Sequence, residues 1–170
     1  FKSNENIDIY ESLNMAINNQ IHGEVKFGSY LSGGIDSSVL AYFLSKNRKI
    51  DTFSIEFENP EYDESNAQKI LVDRLNVNHH SLRVKNSDIL KNFSNVVNHA
   101  ETFLFRTAPV PMFLLSKFVH ELGFKVIYSG EGADEILFGY DLFFENRIRN
   151  FWKKNRNSKI RPLLLKKLYN

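Results

Sequence analysis

The sequence contains no cysteine. That excludes disulfides, thiolate metal centres and a cysteine nucleophile in this chain. No apolar run reaches the roughly 20 residues needed to span a bilayer. The first residues also lack the charged-then-apolar layout of a signal peptide. Together these absences predict a soluble, cytosolic protein with no membrane partner. Proline is scarce, with four residues, and there is no internal repeat or low-complexity linker. What is present suits a globular fold. Over 170 residues, 42% are hydrophobic and 14% aromatic, enough for one sizeable core and against disorder.

Acidic residues are also missing from the C-terminal stretch. From Arg147 to Asn170 there are nine Lys and Arg and no Asp or Glu, although the whole chain carries a net charge of only +2. The preceding part is therefore acidic overall. A basic run of this kind can hold nucleic acid or an acidic substrate, but a solvated helical surface or a docking face is the plainer reading. Nucleic acid is accordingly not expected as the partner. The boundary divides the chain into residues 1–146, the main domain, and residues 147–170, a basic helical extension of it.

Short β-rich runs alternate with longer helical ones. Val25–Leu31, Ile50–Phe57, Val77–Val84 and Phe124–Ser129 read as strands, the second ended by Asn59-Pro60. Between them, helical periodicity predicts helices over Asp36–Lys46, Asp63–Leu75, Ser87–Ala100 and Pro111–Leu122. The helix over Asp63–Leu75 would turn Ala67, Ile70, Leu71 and Leu75 inward. Ser87 or Asp88 is the expected cap of the next, and Gly123 the stop of the last. A further helical stretch begins near Asp134. Alternation of this kind implies an α/β fold, a doubly wound parallel sheet with helices on both faces and a helical C-terminal extension. Ligands in such sheets bind beyond the carboxyl ends of the strands, where strand order reverses. The segments that follow the strands are therefore the ones to search for chemistry.

Leu31-Ser-Gly-Gly-Ile-Asp-Ser-Ser38 follows the first strand and opens a helix. Gly33 and Gly34 permit a sharp turn and close backbone approach. The helix start offers N–H groups and a positive dipole end to phosphate, and Ser32, Ser37 and Ser38 add hydroxyls. Asp36 is out of place beside a polyanion unless a divalent cation such as Mg²⁺ lies between them. The GxxxxGK[ST] pattern is absent. A Gly-Gly turn with ordinary helix-capping residues is the plain alternative, but the full SGGIDSS run in a strand-to-helix setting is far more specific. It resembles the pyrophosphate loop of N-type ATP pyrophosphatases.

Ser129-Gly-Glu-Gly-Ala-Asp-Glu-Ile136, ending in Phe138-Gly-Tyr140, follows the fourth strand. Three carboxylates in five positions favour a helix N-terminus, which explains Asp134 and Glu135 but not the two glycines around Glu131. The SGEGADE run with the following FGY closely resembles the second signature of asparagine synthetases and their β-lactam synthetase relatives. FSIEF, PEYDESNAQKILVDRLNVNHH and AETFLFRTAPVPMFLLSKFV resemble further parts of the same family.

The resemblance implies an adenine nucleotide α hydrolase-like sheet (HUP type), with ATP and Mg²⁺ as cofactors. Ser32, Gly33, Gly34, Ser37 and Ser38 match positions that hold ATP phosphates, and Ser129 opens the second signature. Leu31, Ile55 and Gly130 match positions that contact AMP. Asp36 and Asp134 match the two metal-binding aspartates, which would make the two glycine-bearing bends converge. Glu131 matches the glutamate assigned to ammonia binding or to deprotonating the attacking amine. The implied function is ATP-dependent amide-bond formation: a carboxylate is adenylated with release of pyrophosphate and ammonia then attacks. Asp36 and Glu131 would be the catalytic residues.

Phe105-Arg-Thr-Ala-Pro-Val-Pro111 departs from the threonine-rich segment of aspartate-using members. The acceptor is therefore aspartate or another small-molecule carboxylate, with Arg106 either a bidentate clamp for it or half of a structural ion pair. The family's glutaminase half begins with a cysteine that is absent here. Ammonia is thus expected from solution, a partner, or a glutaminase domain in missing N-terminal chain, and this segment is expected to be inactive alone. The resemblance leaves room for a homodimer. The alternatives are a β-lactam or macrocycle-forming synthetase, a tRNA-modifying pyrophosphatase suggested by the basic run, and a non-catalytic nucleotide-binding fragment. His79 and His80 fall on opposite faces of a strand and are read as structural. Phe143, Phe144, Phe151 and Trp152 are read as helix packing.

Overall fold

The computed structural model describes residues 8–21, 25–46 and 48–168. They form two compact units, residues 1–129 and 130–170.

The first unit contains α1 (Ile9–Gln20), β1 (Phe27–Tyr30), α2 (Ile35–Ser45), β2 (Ile50–Phe57), α3 (Ser65–Arg74), β3 (Val77–Val84), α4 (Asn86–Ala100), α5 (Pro109–Glu121) and β4 (Val126–Tyr128). The strands form one parallel sheet in the order β3-β2-β1-β4. Order runs outward from β1 to β3 and then reverses to β4, so the switch point lies between β1 and β4. There Ser29 is in register with Tyr128. The doubly wound parallel sheet expected from the alternation of runs is therefore present.

Each face of the sheet carries its own core. On one, Ile17 of α1 and Phe43 and Leu44 of α2 pack with Ile50 of β2. On the other, Leu115 and Val119 of α5 and Phe124 enclose Phe53. Phe53 is fully buried, a burial that contributes about 1.5–3 kcal/mol. Its ring lies over the backbone of Gly28, where a Cβ would stand 2.6 Å from Phe53 Cε2 and 2.8 Å from the Asp51 carbonyl oxygen. His80 stacks on the same ring at 5.0 Å, and its Nε2 donates to Asp51 Oδ1 at 2.8 Å. His79 points to the opposite face, with Nδ1 3.0 Å from Thr52 Oγ1. The two histidines do sit on opposite faces, each held by a strand neighbour.

Several boundaries differ from the sequence reading. β1 and β4 are shorter than expected, because Val25 and Lys26 precede the ladder and Phe124 joins the core from a loop, with Lys26 Nζ 3.9 Å from its ring centroid. Helix α1 was not anticipated. Asp8 caps it by accepting from the N–H groups of Tyr10 and Glu11. In α3, Ile70 is exposed rather than inward and Gln68 is the buried residue, its Nε2 donating to the Ile55 carbonyl at 3.2 Å. Helix α4 starts at Asn86, with Lys85 as its cap residue. Asp88 lies inside the first turn and accepts the Lys85 N–H at 3.0 Å, so neither Ser87 nor Asp88 is the cap. Gly123 ends α5 with φ +82, a value that favours glycine.

The second unit contains α6 (Ala133–Leu137), α7 (Asp141–Lys153) and α8 (Leu163–Lys166). None of its described residues is buried. Phe143 meets the rings of Phe138 and Tyr140, and the Arg161 guanidinium lies 4.1 Å over Phe151 and donates to its carbonyl. Trp152 Nε1 donates to the Arg156 carbonyl. Phe143 and Phe151 thus pack locally, but Phe144 and Phe151 are both nearly half exposed. No described helix in either unit is long and apolar enough to cross a membrane.

Candidate nucleotide site

A cavity of about 670 Å³ opens at the carboxyl ends of β1 and β2. That volume is in the range of small-molecule sites, and the location is where an open parallel sheet binds ligands. Its walls are apolar and aromatic: Tyr30 and Ile55 from the strands, Ile89 from α4, Met112 and Leu115 from α5. Polar groups enter at the rim from Ser32, Glu64, Gln68 and Thr107.

Leu31 and Ser32 leave β1 directly into this cavity. Leu31 is 2% exposed, donates its N–H to the Phe53 carbonyl at 2.9 Å, and accepts the Ser54 hydroxyl on its own carbonyl. These bonds fix where the strand ends and the glycine turn begins. Ile55 lines the cavity one strand away.

The turn itself is heavily hydrogen-bonded. The Ser32 N–H donates to Ser37 Oγ at 3.1 Å, and the two hydroxyls are 2.8 Å apart. The Gly34 N–H donates to Ser32 Oγ at 3.1 Å, and the Gly33 N–H to Glu64 Oε2 at 2.9 Å. Ser38 Oγ donates back to the Gly34 carbonyl. Gly34 is the cap residue of α2 and supplies no side-chain bond to it. Gly33 rests on the first turn of α3, where a Cβ would stand 2.9 Å from Ala67 Cβ. That close approach, rather than an unusual dihedral angle, is why glycine is needed there. Asp36 lies exposed in the first turn of α2, where the helix dipole favours a carboxylate.

The loop after β2 is held by Asp63. Its Oδ1 accepts the Phe57 N–H at 3.1 Å and its Oδ2 the Ser65 hydroxyl at 2.5 Å. The Ser65 hydrogen bond, ahead of those from the Phe57 and Ser65 N–H groups, holds the Asp63 carboxyl below its ordinary value. Arg106 is exposed on the loop between α4 and α5. Among the described residues it forms no ion pair, while the next two residues, Thr107 and Ala108, line the cavity.

The second motif begins at Ser129, one residue past β4, and its remainder lies in the second unit. The Gly130 carbonyl accepts the Ala133 N–H at 3.2 Å, and Gly132 adopts φ +90 at the cap of α6. Glu131 is exposed and Asp134 half-buried. Asp134 stands against Gly139, where a Cβ would come within 2.0 Å of its Oδ1. The glycine of the FGY segment therefore makes room for the Asp134 carboxylate. Tyr140 donates its hydroxyl to Glu135 Oε1 at 2.8 Å, and this bond raises the tyrosine pKa.

The structure thus gathers Leu31, Ser32 and Ile55 around one cavity with the SGGIDSS turn at its rim. Glu64, Gln68 and Asp63 were not singled out from sequence. The only signal for Asp63 and Glu64 was their place at the start of the helix expected over Asp63–Leu75, and nothing marked Gln68.

The profile of the asparagine synthase family matches residues 8–169. Glutamine-hydrolysing asparagine synthetase 2 of Oryza sativa subsp. japonica is 32% identical over 168 residues, 91% of this chain and 28% of the relative. Glutamine-hydrolysing asparagine synthetase 3 of Arabidopsis thaliana is 32% identical over 161 residues, 87% of this chain and again 28% of the relative. The chain therefore spans a little over a quarter of the length of these relatives. Among solved structures, NMN synthetase from Francisella tularensis aligns with a TM-score of 0.47 and 16% identity, covering 71% of this chain and 54% of that one.

Proposed function

This chain belongs to the asparagine synthase family, and from that premise we propose that it is the ATP-binding synthetase part of a carbon–nitrogen ligase. The observation that carries this reading is the apolar cavity at the ends of β1 and β2, rimmed by SGGIDSS. The adenosine moiety fills the cavity against Leu31, Ile55 and the α5 wall, and the phosphates lie along Ser32, Gly33, Gly34, Ser37 and Ser38. Ser129 and Gly130 of the second motif are assigned to the nucleotide by their resemblance to the family signature.

A divalent ion fits this donor set only in company with phosphate. Among the described residues no three His, Asp or Glu side chains gather to hold a metal by themselves. Mg²⁺ characteristically takes one or two carboxylates and completes its shell with phosphate oxygens and water. By resemblance to the family, Asp36 and Asp134 would each offer a carboxylate to such an ion, which would neutralise charge on the departing pyrophosphate.

The reaction has two steps. An oxygen of the acceptor carboxylate bonds to the α-phosphorus of ATP as the bond to the bridging oxygen breaks, and pyrophosphate leaves with that electron pair. Donors of the loop stabilise the charge developing there. Ammonia then attacks the acyl-adenylate carbonyl, Glu131 takes its proton, and AMP departs. Arg106, exposed next to the cavity-lining Thr107, is our candidate to pair with a free carboxylate of the acceptor, aspartate or a similar acid. The chain has no cysteine, so ammonia comes from solution, from a glutaminase domain elsewhere in the protein or from a partner.

The test is carboxylate-dependent pyrophosphate release by the full-length protein. Asp36→Ala is expected to abolish it. Release that survives the substitution unchanged removes Asp36 from the chemistry.

A further inference from the structure

Glu64 is used by nothing in the reaction above, yet it makes a bond that bears on it. It precedes α3 as that helix's cap residue, but its side chain does not cap α3. Instead it reaches back across 31 residues and accepts the Gly33 N–H at 2.9 Å. The other two amides of the turn donate to serine hydroxyls, Ser32 to Ser37 and Gly34 to Ser32. Gly33 alone donates to an anion. Among the described residues Glu64 forms no ion pair, so its charge is set against the turn without a cation beside it. The side chain is exposed and lines the cavity rim.

We propose that Glu64 is a resident anion of the pyrophosphate loop, a carboxylate that holds the Gly33 amide and is displaced by a phosphate oxygen when ATP binds. The inference rests on the nucleotide reading given above. A carboxylate oxygen and a phosphate oxygen are the same kind of acceptor for a backbone N–H. Both cannot use one N–H, and two anions at that distance repel. An exposed side chain can swing into water without a desolvation cost, so the exchange needs no movement of the sheet or of α3. Glu64 thereby satisfies the turn and sets a threshold for polyphosphate entry. It leaves the adenosine-binding walls unaffected.

The test compares wild type, Glu64→Gln and Glu64→Ala in the full-length protein by isothermal titration calorimetry. The ligands are Mg-ATP, pyrophosphate and adenosine, and circular dichroism checks the fold of each variant. Replacing a charged acceptor by a neutral one weakens the competing bond, so Glu64→Gln is expected to tighten ATP and pyrophosphate about fivefold. Glu64→Ala should tighten them at least as much. Adenosine affinity should not move. Equal or weaker ATP and pyrophosphate binding in both variants would overturn the proposal and make Glu64 a residue that positions the loop. Failure of adenosine and ATP alike to bind the wild type would instead remove the nucleotide reading itself, and this inference with it.

Discussion

Gly33 and Gly34 are adjacent, and sequence treats them alike, yet the structure predicts different responses to a single added methyl group. A Cβ on Gly33 would lie 2.9 Å from Ala67 Cβ, 3.2 Å from Glu64 Cβ and 3.4 Å from Glu64 Oε2. The first two contacts are with atoms next to the α3 backbone, which cannot turn aside. Relief requires the turn and the first turn of α3 to separate by more than half an ångström, judged against the ~3.5–4.0 Å of ordinary carbon contacts. Overpacking of this kind costs about 1–3 kcal/mol. A Cβ on Gly34 meets only Ser32 Oγ, at 3.3 Å, a hydroxyl that can rotate. Its cost is that of alanine at a helix cap, below about 1 kcal/mol. For a domain of this size, Gly33→Ala should lower Tm by about 3–10 °C and Gly34→Ala by no more than about 3 °C. Thermal denaturation followed by circular dichroism measures both. If Gly34→Ala is the more damaging of the two, the reasoning that seats Gly33 on α3 is wrong.

Two further outcomes follow from the structure. Gly139→Ala places a methyl against Asp134 Oδ1 and should push that carboxylate aside. Pyrophosphate release should then fall about a hundredfold, the scale of a misplaced catalytic group, while Tm changes little; retained activity would separate Asp134 from the reaction. His79 is held below its ordinary pKa, chiefly by burial and secondarily by His80. The unfolded chain therefore takes up this proton more readily, and stability should fall as pH drops from about 6.5 toward the depressed folded value. His79→Asn should flatten that slope in urea midpoints measured between pH 7.5 and 5.5; an unchanged slope would assign it to other groups.

The legibility of the fold varied from element to element. Ile50–Phe57 and Val77–Val84 coincide with β2 and β3; the first is rich in apolar and β-branched residues and is closed by Asn59-Pro60. The SGGIDSS turn was equally legible, since its glycines fall between a strand and a helix. In α3 the periodicity pointed Ile70 inward, whereas the structure buries Gln68 to satisfy the Ile55 carbonyl. Periodicity counts apolar residues and cannot see a carbonyl that needs a donor. The Glu64–Gly33 bond was illegible for a related reason, as it joins residues brought together only by the β1–α2–β2 crossover and the packing of α3 on the turn.

Gly28 and Phe53 lie on neighbouring strands, and the ring occupies the space that a side chain at position 28 would need. The same ring bears on His80, Phe118 and Phe124. The two positions are therefore not free to drift independently over evolutionary time. A descendant that acquires even alanine at 28 needs both a smaller residue at 53 and a shift of the strand away from the Asp51 carbonyl, and that exchange loosens the floor on which α5 stands.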